Sequence, residues 1–110
     1  MKLPNGHKAT VDERKVRDYL LSQRHPIGRF KARVFASVGF APGNWQLFAR
    51  ALAELAATGE AALDAEDAYG RKYLVTGALS GPTGAVLEVV SVWIVPSEGD
   101  APRLVTVYPR

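Results

Sequence analysis

Apolar positions recur at helical spacing through the first half of the chain and at every second position near its end. Val16, Tyr19 and Leu20 fall on one face of a helix expected from about Glu13 to Leu21 or Ser22. Asp12 is its natural N-cap, and Glu13 suits the positive end of the helix. A basic connection, Gln23-Arg24-His25, leads to Pro26, which fits the first turn of a second helix. Ile27, Val34, Phe35 and Val38 give that helix its apolar stripe, and Gly39 is placed to end it. Arg24, Arg29 and Arg33 fall away from the stripe. After the turn Ala41-Pro42-Gly43, Asn44 is positioned to cap a third helix carrying Trp45, Phe48, Leu52 and Leu55 and ending near Thr58-Gly59. The acidic, alanine-rich stretch from Ala61 to Asp67 reads as a mobile loop.

From Arg71 the period becomes two. A strand from Lys72 to Ser80 ends at the turn Gly81-Pro82-Thr83-Gly84. The long run Ala85 to Val95 follows, hydrophobic enough for a central strand covered on both faces or through much of its length. Pro96 to Asp100 is the next turn. In the last strand, from Arg103 to Tyr108, regular alternation sets Arg103 on the face opposite Thr106 and Tyr108. A short strand around Lys8 to Val11 has the composition to join the sheet. The expected fold class is α+β, with N-terminal helices packed on an antiparallel meander of three or four strands.

Composition sharpens this picture without changing it. A chain of 110 residues, 47% hydrophobic, suits a single domain over residues 1–110 with one core. No run approaches the ~20 apolar residues of a membrane helix, and the N-terminus is unlike a signal peptide. Cysteine is absent, which excludes disulfides, thiolate metal sites and cysteine nucleophiles, and points weakly to a cytoplasmic protein. The net charge of +3 is unevenly spread. Residues 1–40 carry nine Lys/Arg against three Asp/Glu, whereas residues 41–70 carry one against five. The basic segment suits an anionic partner, and a solvated pair of Arg-rich helices accounts for it equally well. The acidic stretch beside basic helices, with the long apolar strand, is also compatible with a homodimer.

The chemistry open to such a chain is narrow. It has no phosphate-binding Gly-rich loop, no serine nucleophile elbow and no pair of histidines at metal-ligand spacing, so neither a metal nor a cofactor is expected. An imidazole can give or take protons at neutral pH, and His25 stands one to two helical turns from Arg29 and Lys31, so a single phosphate can meet several of these groups. A capping His25 and a solvated Lys31 are the plainer reading of the same residues. On the last strand Arg103 can bind phosphate bidentately, while Thr106 and Tyr108 offer hydroxyls and are also ordinary strand formers. Trp45 and Trp93 lie in apolar patterns that favour core packing over base stacking.

Leu3-Pro4-Asn5, Lys8-Ala9, Val11-Asp12, Lys15, Asp18-Tyr19-Leu20-Leu21 and His25-x-x-Gly28-x-x-Lys31-Ala32-x-x-Phe35 resemble a bacterial domain family found alone and at the C-termini of polymorphic and contact-dependent toxins. Val92-Trp93-Ile94-Val95 and Arg103-Leu104-Val105-Thr106-x-Tyr108-Pro109 extend the likeness to the C-terminus. More distantly, the order of helices and strands is similar to the superfamily of barnase, EndoU, colicin and RelE ribonucleases. That resemblance implies metal-independent RNA cleavage, with His25 and Lys31 on the helix side and Arg103, Thr106 and Tyr108 on the strand side as catalytic candidates. It makes Arg24, Arg29 and Arg33 RNA-binding candidates. It also implies RNA, tRNA included, as substrate and a small cognate antitoxin or immunity protein as partner. The rival expectation is a non-catalytic module that binds RNA or protein.

Overall fold

The computed structural model describes residues 1–26, 29–99 and 101–110. Its main elements are α1 (Arg29–Ser37), α2 (Trp45–Thr58), β1 (Glu60–Asp67), β2 (Gly70–Ser80), β3 (Val86–Pro96) and β4 (Arg103–Pro109). The helical segment before α1 starts where expected, with Asp12 Oδ1 accepting a hydrogen bond from Lys15 N at 3.0 Å. From Lys15 to Leu20 it is π-helical rather than α-helical, and Leu21 N–H reaches back to the Val16 carbonyl at 2.9 Å. The wider turn admits Val16, Leu20 and the neighbouring Leu21 to the core together. Tyr19 is left half-buried at its margin.

Pro26 stands in a turn, and His25 O accepts from Arg29 N at 3.0 Å where α1 begins. Ile27 and Gly28, which belong to the expected start of this helix, lie outside the described residues. Ala32 and Phe35 are buried, with Val38 just beyond the helix end. The chain then reverses at Gly39, whose φ of +102° an L side chain rarely adopts. Asn44 does not cap α2. Its Oδ1 accepts from Ala41 N at 2.7 Å and its Nδ2 donates to Gly39 O at 2.9 Å, so it fastens the preceding turn instead. Phe48, Leu52, Leu55 and Ala56 form the buried face of α2.

The four strands form an antiparallel meander in the order β1-β2-β3-β4. The acidic stretch expected to be a loop is strand β1, paired from Glu60 opposite Thr76 to Asp67 opposite Gly70. Its Ala, Glu and Asp residues are weak strand formers, and only Ala61 is buried. What makes it a strand is the free hydrogen-bonding edge of β2. Its carboxylates and a register shift between Leu63 and Ala65 in turn guard the outer edge of the sheet.

The central strand β3 is covered mainly on one face. Val89, Ser91, Trp93 and Val95 are buried with Tyr73, Val75 and Leu79 of β2, whereas on the other face Val92 is buried, Val90 and Ile94 are half-buried, and Val86 and Glu88 are exposed. Full two-sided cover, one of the expectations from its hydrophobicity, is not what the strand has. In its centre Trp93 Nε1 donates to Ser91 Oγ at 2.8 Å, and Ser91 Oγ donates to Val75 O at 3.0 Å. At the turn after β2, a Cβ built on Gly81 would stand 1.8 Å from Val38 O, so only glycine lets the hairpin close against the end of α1. The N-terminal segment meets the sheet at Thr10, in a parallel bridge to Arg103, and at Met1, whose carbonyl accepts from Ala61 N at 2.8 Å. Among the described residues no helix is long and apolar enough to cross a membrane.

Candidate functional site

The candidate residues are placed by one irregularity in β4. Leu104 pairs with Trp93 and Thr106 with Val92, so Val105 is an extra residue without a counterpart on β3. The bulge breaks the alternation expected for this strand. Leu104 and Val107 are both buried although three positions apart. Arg103, Thr106 and Tyr108 lie opposite Ile94, Val92 and Val90, which alternate along β3, so all three share one face. Regular alternation had set Arg103 on the other side.

Lys15 secures this bulge. Its Nζ donates to the Val105 carbonyl at 2.9 Å, reaching from the π-helical segment to the edge strand. Lys31, in the first turn of α1, donates from Nζ to Thr106 Oγ1 at 3.0 Å. The same Nζ stands 5.6 Å from the centre of the Tyr19 ring, within cation–π range. Tyr19 in turn meets His25 edge-to-face, with ring centroids 4.5 Å apart. Helix-side and strand-side candidates therefore converge at Lys31 and Thr106, with His25 joined to them through Tyr19.

The electrostatics of this cluster follow from what is missing around it. The three acids of residues 1–40 are engaged elsewhere: Asp12 caps its helix, and Glu13 and Asp18 both bind Arg17. Arg17 Nη1 donates to Glu13 at 2.6 Å and its Nε to Asp18 at 2.8 Å, which holds the Asp18 carboxyl below its ordinary range. Among the described residues, neither Lys15 nor Lys31 has a carboxylate in ion-pair contact. Partial burial, and then the neighbouring Lys15 charge, push the Lys31 ammonium below the usual lysine range. A half-buried cation without a counter-ion is a place for an incoming anion.

The remaining candidates stand around this centre. Tyr108 is exposed, two residues beyond Thr106 on the same face. Arg103 is exposed at the start of β4, on the far side of Lys15, and makes no ion pair among the described residues. Arg24, Arg29 and Arg33 are exposed. Arg29 and Arg33 lie 4.9 and 5.7 Å from the centre of the exposed Phe30 ring. Lys15, Tyr19 and Phe30 were not singled out from the sequence for chemistry. Lys15 and Tyr19 carried a signal only as residues of the family resemblance, and the bond of Lys15 to Val105, 90 positions away, is one that no local spacing reveals. Among the described residues no group of three His, Cys, Asp or Glu stands close enough to hold a metal ion.

The chain belongs to a family described as a domain of unknown function, DUF6883, whose sequence profile matches residues 2–110. No protein with a curated description matches it in sequence. Among solved structures it is similar to a chain of a contact-dependent growth inhibition toxin–immunity protein complex from Klebsiella pneumoniae 342. The TM-score is 0.74 at 18% identity, covering 93% of this chain and 100% of the other. At that identity the likeness establishes a shared fold.

Proposed function

We propose that this chain is a toxin-type endoribonuclease domain that cleaves RNA without a metal, by attack of a ribose 2′-OH on the adjacent phosphate. The observation that carries the reading is the half-buried Lys31 ammonium on Thr106 Oγ1, beside Lys15 and linked through Tyr19 to His25. In this mechanism the 2′-oxygen forms a bond to phosphorus as the bond from phosphorus to the 5′-oxygen breaks. His25 takes the 2′-OH proton or delivers one to the leaving 5′-oxygen, and Tyr108 or water completes the other transfer. Thr106 orients the phosphate. Lys31 stabilises the charge that builds on the phosphoryl oxygens, from a position already fixed before the substrate arrives. The products are a 2′,3′-cyclic phosphate and a 5′-hydroxyl. DNA, which lacks the 2′-OH, binds but is not cut.

The toxin setting is supported by the fold shared with a chain from a toxin–immunity complex. By that analogy a small cognate immunity or antitoxin protein covers the cationic centre, and the domain acts in the cytoplasm, where its RNA lies. The test is incubation of the purified chain with total RNA in EDTA, beside Lys31→Met and His25→Ala. The expected result is cleavage to cyclic-phosphate ends, slowed by roughly 100-fold or more in Lys31→Met. Absence of cleavage, or equal cleavage by all three proteins, would overturn the reading.

A second reading is favoured by the exposed Arg29–Phe30–Arg33 stack, which suits binding of RNA without chemistry. It predicts salt-sensitive RNA binding that survives Lys31→Met and falls in Arg29→Gln or Arg33→Gln.

A further inference from the structure

The groups that join Lys31 to Thr106 fill only one end of a longer trough along the edge of β4. Beyond Lys15 lies a cleft of about 480 Å³ between the Thr10–Asp12 segment and β4, with Arg103 in its wall. A second cleft of about 340 Å³ is lined by Arg14, Tyr19 and Thr106. Both clefts include Lys15 and Val105, so they adjoin at the bulge. Val11, Ile94 and Leu104 give the larger cleft an apolar wall.

We infer that the larger cleft is a nucleotide subsite, in which Arg103 and Lys15 hold the phosphate that neighbours the scissile one. The inference rests on the RNA reading for its substrate and deepens it. Three observations carry it. First, the bulge turns Arg103 onto the face of Thr106, so both line a single path for a chain of phosphates. Their partners Ile94 and Val92 are two residues apart on β3, so they stand roughly 7 Å apart along β4, which allows them to contact neighbouring phosphates. Second, Arg103, Lys15 and Lys31 form a row of cations, and the carboxylate among the described residues that lines the cleft with them, Asp12, already accepts the Lys15 backbone N–H at its Oδ1. Cations crowded in a row are relieved by an anion of repeated charge; one isolated phosphate leaves part of the row unpaired. Third, the apolar wall beside the Arg103 guanidinium offers cover for a sugar or base, as pockets for small organic groups commonly do. Arg103 on this account is a binding residue that sets which strand segment lies over Lys31, and it does not touch the reacting atoms.

The test uses two probes on the whole chain. The first is a fluorescent single-stranded 2′-deoxy oligonucleotide, which cannot be cleaved by this chemistry, titrated by anisotropy across a range of salt. In Arg103→Gln its affinity is expected to fall by roughly tenfold, with a salt slope shallower by about 0.7. The second is cleavage of a ribodinucleotide, which has one phosphate, against a longer oligoribonucleotide. Arg103→Gln is expected to raise KM for the longer substrate roughly tenfold more than for the dinucleotide. No binding of the deoxy oligonucleotide, an unchanged salt slope, or an equal loss on both RNA substrates would overturn the subsite. If the wild type binds in an Arg103-dependent manner but cuts no RNA, the catalytic reading fails while the subsite stands.

Discussion

Two polar clusters in this molecule bond to the same sheet and meet opposite conditions. In the centre of β3, Ser91 and Trp93 are fully buried and neutral, and each polar atom has its partner: the indole donates to the hydroxyl, and the hydroxyl donates to the Val75 carbonyl. At the edge of β4, Lys15 and Lys31 are half-buried and charged, and they bond to Val105 O and Thr106 Oγ1 with no carboxylate in ion-pair contact among the described residues. A satisfied neutral network under the helices fixes the register of the sheet without electrostatic penalty. The half-buried Lys31 ammonium, with a second cation beside it, is disfavoured in its charged form, an arrangement that an anion would relieve. The most buried polar network and the candidate site thus reside in different strands.

The largest expected effect comes from breaking the central cluster. Trp93→Ala removes the largest buried side chain and is expected to destabilise the fold by about 3–5 kcal/mol, measured by denaturant unfolding. Ser91→Ala keeps nearly all of the packing but leaves the indole N–H without its acceptor, and should destabilise by about 1–3 kcal/mol. Lys31→Met should behave in the opposite way, with a melting temperature equal to or above that of the wild type although RNA cleavage is lost. Because burial lowers the Lys31 pKa in the folded state, the unfolded chain binds more protons over the alkaline range between the two values. Wild-type stability should therefore rise relative to Lys31→Met as pH climbs through that window. A stability difference that stays constant with pH would remove the contrast between the two clusters. The smallest effect sharpens it: Lys15→Met should raise the pH at which Lys31 loses its proton, as followed by NMR titration, because Lys15 contributes to the depression.

The legible part of this fold was the part set by local pattern. The switch from helical to alternating periodicity located the helices and three of the strands, and Gly39 and the Gly81–Gly84 turn marked where the chain reverses. The buried positions of Val16, Phe48 and Trp93 were likewise readable from their stripes. β1 was hidden because its residues do not favour a strand, and its pairing is supplied by β2. Asn44 was misread because its carboxamide serves the turn before it, where geometry is decided by Gly39 and Ala41.

For the candidate site the sequence by itself determined the ingredients: an excess of cations in residues 1–40, the imidazole of His25, and the Arg103, Thr106 and Tyr108 side chains of the last strand. Their arrangement was decided by tertiary structure alone. Lys31 is 75 positions from Thr106, and Lys15 is 90 positions from Val105, so no local spacing foretells either bond. The bulge that brings Arg103 onto the face of Thr106 leaves no mark in the alternation of the strand itself. It is stabilised by a lysine from the opposite end of the chain, because a carbonyl without a ladder partner takes the nearest donor that the packed helices present.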